Sequence, residues 1–236
     1  MIAYKKARTG GETRRLARRE EGDMAASVVT FSVQLGSNGL TIAQAVSSKL
    51  DLRYYDAEVV SQAAALAGVS PETVAAAERW PTFLERMLER LALTTVVSEG
   101  VMPAPPAANP ATLMMTSADY RQLIEQVVTN LAQRGRCLIV GHAGQAILKD
   151  APGVFKVLVH GSAKRRAERL SQERGISIKE AEAMVKDSDR QRTEFFKHVY
   201  GLDWLDSSFY DLSINGDDLD EETAVSLVIT GVEHSV

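Results

Sequence analysis

Short apolar runs alternate with amphipathic stretches along most of the chain. Val28 to Val33 is a β-rich run that leads almost at once into Gly36-Ser37-Asn38-Gly39, which reads as a strand turning through a glycine loop. Ile42, Ala45, Val46 and Leu50 then recur at helical spacing, predicting a helix with one face against that strand. Leu52 to Asp56 reads as a brief extended segment and the stretch from Ala57 to Ala67 as a helix closed by Gly68. Ser70-Pro71-Glu72-Thr73 supplies a capping serine and a proline at the first helical position of another helix.

A helix from about Ser117 to Gln133 leads into Arg136-Cys137-Leu138-Ile139-Val140-Gly141, and a second apolar run spans Val154 to His160. Continuous runs of this kind suit parallel strands buried on both faces. Ser162 is placed to cap a helix with Ala163, Ala167 and Leu170 on its apolar stripe and Arg165, Arg166 and Arg169 on its polar side, ended by Gly175. Ser177-Ile178-Lys179-Glu180 is a capping box opening a longer helix, along which Ala181, Met184, Ser188, Arg192 and Phe195 align. Tyr210 to Ile214 reads as a last strand and Asp220 to Ile229 as a closing helix with Ala224, Leu227 and Val228 inward. This alternation predicts an α/β domain, a parallel sheet with helices on both faces and right-handed crossovers.

Two stretches break the pattern. Residues 98–116 hold Pro103, Pro105, Pro106 and Pro110 among small residues, the composition of a surface loop. Residues 1–26 read as a flexible leader, with Met24 an alternative start; Lys5, Lys6, Arg8, Arg14, Arg15, Arg18 and Arg19 also suit RNA or an acidic surface. The 236 residues, 45% apolar and 25% charged, are enough for one substantial core. A net charge of -4 gives no broad basic field for duplex nucleic acid, so any polyanion site is local. Cys137 is the single cysteine; an intramolecular disulfide and a Cys-based zinc cluster are excluded, and a reducing, cytoplasmic setting is expected. No run approaches the roughly 20 apolar residues that cross a bilayer, and the N-terminus lacks a secretion signal's apolar stretch, so no membrane partner is expected. Periodicity does not separate a core face from a dimer face, which leaves the oligomeric state open.

The glycine loop is the first candidate for chemistry. A strand turning directly into a helix leaves backbone N–H groups pointing outward beside the positive end of the helix dipole, an arrangement that suits phosphate. The full pattern G-x-x-x-x-G-K-[ST] is absent, because Leu40 follows Gly39. From these residues alone a plain tight turn is an equal reading.

Taken in order, the motifs carry a resemblance. They are Gly36-Ser-Asn-Gly39 with Ile42-Ala43, Tyr54-Tyr55-Asp56, Leu138-Ile-Val-Gly141-His142-Ala143-Gly144, Arg166-x-x-Arg169, Asp187-x-Asp189-Arg190 and Tyr210-Asp-Leu-x-Ile-Asn215. Over about residues 27 to 232 the chain resembles the cytidylate kinase-like branch of the P-loop nucleoside monophosphate kinases. The resemblance implies a three-layer P-loop NTPase-type fold over 27–236, with an acceptor-side helical insert at about 57–116 and a lid at about 162–200. It also implies transfer of the ATP γ-phosphoryl group, with Mg²⁺ between the phosphates, to a nucleotide substrate, CMP or dCMP first among them. Gly36, Ser37, Asn38, Gly39 and Thr41 would then hold the donor phosphates, with Ser32, Ser37 or Thr41 as the hydroxyl near hydrated Mg²⁺. Arg165, Arg166 and Arg169 would be the lid's catalytic guanidinium groups, against the alternative of a solvated basic face. Asp56, His142, Asp187, Asp189 and Arg190 would bind the acceptor. Capping by Asp56 and helix ion pairs of Arg190 with Glu194 or Asp189 with Arg192 are the competing readings.

The chain departs from the family at defined positions. His142 stands where members commonly carry arginine, Val33-Gln34 where they often carry Arg-Glu or Arg-Gln, and no lysine follows Gly39. Imidazole is mostly neutral at pH 7 and replaces arginine poorly. A catalytically weak nucleotide-binding regulator, or a kinase of another small metabolite, are the alternatives.

Overall fold

The computed structural model describes residues 26–77 and 117–235. The expected leader, apart from Ala26, and the Pro-rich loop lie outside these residues, as does much of the expected helical insert. Five strands form one parallel sheet in the order β2-β3-β1-β4-β5: β1 Val28–Val33, β2 Arg53–Tyr55, β3 Cys137–Val140, β4 Val154–His160 and β5 Leu212–Asn215. The helices between them are α1 Gly39–Lys49, α2 Ala57–Ala67, α3 Pro71–Ala77, α4 Ser117–Arg134, α5 Gly144–Ile147, α6 Ala163–Arg174, α7 Ile178–Val199 and α8 Glu221–His234. Among the described residues, no helix is long and apolar enough to cross a membrane.

Side-chain alternation along β1 divides the core. Val29 and Phe31 pack with Ile42 and Val46 of α1 and with Val225 and Val228 of α8. Val28 joins Cys137 and Ile139 of β3 against Val59 of α2 and Ile124, Val128 and Leu131 of α4. The central strand is therefore buried on both faces, and the loop that leaves its C-terminal end starts from a fixed base. Cys137 sits in this core, where burial pushes its thiol up to about 11, so it stays protonated at neutral pH.

The expected punctuation is present: Ser162 Oγ accepts from the Arg165 N–H, the Ser177/Glu180 capping box is formed, and Gly68 and Gly175 close their helices in the left-handed region. Three expectations are corrected. The closing helix runs on to His234, and Leu227 is 46% exposed, because Ala224, Val228 and Val232, spaced four apart, already make its inward face. Ala163, at the start of α6, is exposed rather than on the buried stripe of Ala167 and Leu170. Arg166, expected on the polar side of α6, is 2% exposed. A short helix, α5, also follows β3 where none was expected.

Candidate active site

The site is built at the C-terminal ends of β1, β2 and β3, where loops of a parallel sheet converge on ligands. After β1 the chain turns at Gly36, φ 76°, and Asn38, φ 65°, into α1. The Asn38 side chain does not cap α1, and the first backbone bond into the helix is from the Ile42 N–H to the Asn38 carbonyl. The amides of Gly39, Leu40 and Thr41 belong to the first turn, which has no intrahelical acceptors. Both glycines are required by contacts. A Cβ on Gly36 would run into the Arg166 carbonyl oxygen, and one on Gly39 would lie 2.6 Å from Val33 Cγ1.

Side chains hold this loop open from behind. Ser37 Oγ, fully buried, donates to the Val159 carbonyl at 3.2 Å, and Gln34 Oε1 accepts from the Gly161 N–H at 3.1 Å. Ser32 is buried, 5% exposed, near the Tyr210 hydroxyl, which donates to the Trp204 carbonyl, accepts from Gln145 and has its pKa raised by burial. Of the three hydroxyls considered from the sequence, Thr41 is therefore the exposed one, two residues after Gly39.

The three arginines of α6 have separate fates. Arg166 forms a bidentate pair with Asp189, at 3.0 and 2.6 Å, and donates to the carbonyls of Gly161 at 2.9 Å and Leu35 at 3.3 Å. Arg169 donates to the carbonyls of Gly36 at 3.2 Å and Asp217 at 3.1 Å and to that of Gly216, joining the glycine loop to the turn after β5. Burial pushes the Asp217 carboxyl up, but the Ser162 hydrogen bonds and the Arg169 and Arg165 charges more than reverse this, leaving it below the usual carboxylate range. Arg165 is exposed, 3.9 Å from Glu168 and 3.8 Å from Asp218.

Beside the loop lies a cavity of about 480 Å³. Leu35 bounds it on the loop side, His142 and Ala143 at the end of β3, and Met184, Asp187, Ser188, Gln191, Arg192, Phe195 and Phe196 along α7. Gly141, His142 and Ala143 all have positive φ, 75°, 50° and 53°, so the chain coils tightly there before α5. His142 Nε2 lies 2.9 Å from the Asp56 carbonyl oxygen and 3.9 Å from Asp56 Oδ1. Asp56 occupies the N-cap position of α2, but its side chain makes no capping bond. Asp187 pairs with Arg190 at 2.5 Å and accepts from Gln191 at 2.6 Å; Arg190 also lies 3.9 Å from Glu194.

Of the residues singled out from sequence, the loop residues, Asp56, His142 and Asp187 thus gather around one region. Asp189 is turned away into the pair with Arg166, not toward Arg192. Arg192 was missed as a site residue: it donates to the Val33 carbonyl, lies with its Cζ 4.8 Å from the Trp204 ring centroid, and lines the cavity. The signal was a charge on the packing stripe of α7.

The donor set suits a nucleoside triphosphate with magnesium. Among the described residues no group of three or more His, Cys, Asp or Glu can hold a metal, and Mg²⁺ is ordinarily carried by substrate phosphates, waters and one or two protein oxygens. The open amides and the Thr41 hydroxyl fit that mode.

The cytidylate kinase of Pyrococcus horikoshii is 29% identical over 103 residues, 44% of this chain and 53% of that enzyme. The cytidylate kinase of Thermococcus kodakarensis is 26% identical over 103 residues, 44% of this chain and 52% of that enzyme. The chain thus spans about half the length of the curated relatives it matches. An uncharacterised protein from Eubacterium ventriosum shares the fold, with a TM-score of 0.61 at 17% identity over 88% of this chain and 98% of its own. The profile of the cytidylate kinase-like family matches residues 28–218, most of the chain, and the protein belongs to that family.

Proposed function

We propose that the protein transfers the γ-phosphoryl group of Mg-ATP to a pyrimidine nucleotide, with CMP and dCMP the leading acceptors. The observation that carries this is the adjacency of two sites: a glycine-built anion loop with open amides and a cavity lined by polar groups of α7, sharing Leu35 as their common wall. Phosphoryl transfer asks mainly for positioning and for neutralisation of charge on phosphate oxygens. In this reading Gly36 to Thr41 hold the donor phosphates, and the Thr41 hydroxyl would help hold hydrated Mg²⁺, which would supply neutralisation of the charge that develops on the phosphate oxygens. Arg169 couples the loop to the turn after β5, and Arg165 is the solvent-facing guanidinium able to swing. Arg166 and Asp189 fix the loop from behind. Asp56, His142, Asp187, Arg190 and Arg192 face the acceptor. The segment 162–200 would be the lid and 57–116, described only as far as residue 77, the acceptor-side insert.

The test is ADP formation from Mg-ATP with CMP, dCMP, UMP, dTMP, AMP and GMP offered separately. Acceptor-dependent ADP supports the reading; nucleotide binding without turnover favours a regulator. Two variants refine it. Leu40, 49% exposed in the first turn of α1, stands where a lysine would face the phosphates, so Leu40→Lys is expected to lower the ATP KM about tenfold at low salt, with the gain shrinking as salt rises. Arg192→Ala removes a guanidinium from the cavity wall and is expected to raise the acceptor KM about 10- to 100-fold with the ATP KM little changed.

A further inference from the structure

A chain of buried polar and aromatic contacts ties two described walls of the cavity to each other. One wall is the turn after β3, with His142 and Ala143; the other is α7. Gln145, 3% exposed in α5, follows that turn directly and donates from Nε2 to the Tyr210 hydroxyl at 3.2 Å. The hydroxyl in turn donates to the Trp204 carbonyl at 2.6 Å. Trp204, 2% exposed, stacks on Phe196 of α7 with ring centroids 6.3 Å apart and 19° between the planes, and its Nε1 donates to Thr193 Oγ1 at 3.2 Å. The Arg192 guanidinium lies over this indole, with Cζ 4.8 Å from the ring centroid, and donates to the carbonyl of Val33, the last residue of β1.

Packing accounts for a buried indole, and Trp204 shares a core cluster with Ala143, Leu158 and Phe195. Packing does not account for an indole held by hydrogen bonds at both its ring nitrogen and its carbonyl, under a cation that lines the cavity. A guanidinium resting on an aromatic face gives up much of its side-chain freedom before a ligand arrives. Resting on the kinase reading above, we propose that Trp204 is a positioning residue for the acceptor: its indole, fixed by Tyr210 and Thr193, sets where the Arg192 guanidinium stands on the cavity wall. Tyr210 and Gln145 set the distance between that wall and the β3 turn. The acceptor phosphate then meets a cation already in place, and the cost of ordering a long side chain does not fall on the binding step. Trp204 and Tyr210 act through Arg192 and not on the acceptor directly.

The experiment measures initial rates of ADP formation by the full chain with Mg-ATP and CMP or dCMP. Trp204→Leu, Trp204→Phe and Tyr210→Phe are each compared with the wild type and then combined with Arg192→Ala. Trp204→Leu is expected to raise the acceptor KM about 3- to 30-fold, the scale of a cation held on an aromatic face, with the ATP KM within about twofold of the wild type. Trp204→Phe keeps a ring under the guanidinium and is expected to restore most of that affinity. Tyr210→Phe deletes one hydroxyl and leaves the ring in the core, so it asks the same question even if Trp204→Leu does not fold; a rise of about threefold in the acceptor KM is expected. In the Arg192→Ala background each of these rises should vanish, because the group being positioned is gone. Rises that multiply onto that of Arg192→Ala, or that strike the ATP and acceptor KM equally, overturn the proposal and leave the kinase reading standing, as does an acceptor KM unmoved by both Trp204→Leu and Tyr210→Phe. No turnover by the wild type with either acceptor overturns the kinase reading and the proposal together.

Discussion

Gly36→Val is expected to reduce acceptor-dependent ADP formation about a thousandfold, the scale of losing preorganised donors around a transferring group. Two effects combine. Gly36 has φ 76°, a conformation a β-branched residue adopts only under strain of roughly 1–3 kcal/mol. The new Cβ also meets the backbone of Arg166 rather than a side chain that can move aside. The loop must shift, and with it the amides of Gly39 to Thr41. Because Arg169 donates to the Gly36 carbonyl, the turn at Gly216 and Asp217 is disturbed too. Stopped turnover and loss of the thermal shift on adding Mg-ATP, with circular dichroism unchanged, check this; a variant retaining even a tenth of the activity contradicts the placing of donor phosphates at this loop.

Arg166→Leu is expected to lower stability by roughly 2–4 kcal/mol, the range for breaking a buried pair reduced because Asp189 keeps some contact with water. The midpoint of thermal unfolding should fall by about 5–15 °C. The deleted guanidinium leaves Asp189 without its bidentate partner and the Gly161 and Leu35 carbonyls each without a donor. Adding Asp189→Leu removes the stranded carboxylate and should recover part of the loss. Denaturant unfolding of the two single variants and the double variant gives the coupling directly. If Arg166→Leu is as stable as the wild type while turnover collapses, Arg166 belongs to the chemistry and not to the scaffold behind the loop.

The fold was largely legible because its signals are local. β3 is a continuous apolar run, β4 is apolar but for Lys156 and His160, and the capping serines Ser162 and Ser177 accept from N–H groups only three residues on. The roles within the site were less so. Arg165, Arg166 and Arg169 share one helix face by spacing, yet they divide into a solvated charge, a buried strut and a carbonyl clamp. What separates them is a partner 23 residues away for Arg166 and backbone oxygens 133 and 47 residues away for Arg169. Periodicity cannot see such distances. Ser32, Ser37 and Thr41 looked equivalent for the same reason, until burial took the first two out of reach, with Ser37 donating to the Val159 carbonyl. Arg192 was hidden by its regularity: it fell on the helical stripe that also carries Phe195, and the carbonyl of Val33 and the ring of Trp204 account for a charge there.

Following the phosphoryl group itself tests the central claim most directly. With γ-labelled ATP, Mg²⁺ and either CMP or dCMP, label is expected to leave ATP and appear in the pyrimidine diphosphate, in step with ADP and dependent on the acceptor. Label released only as inorganic phosphate, or retained in ATP that measurably binds, would contradict the account.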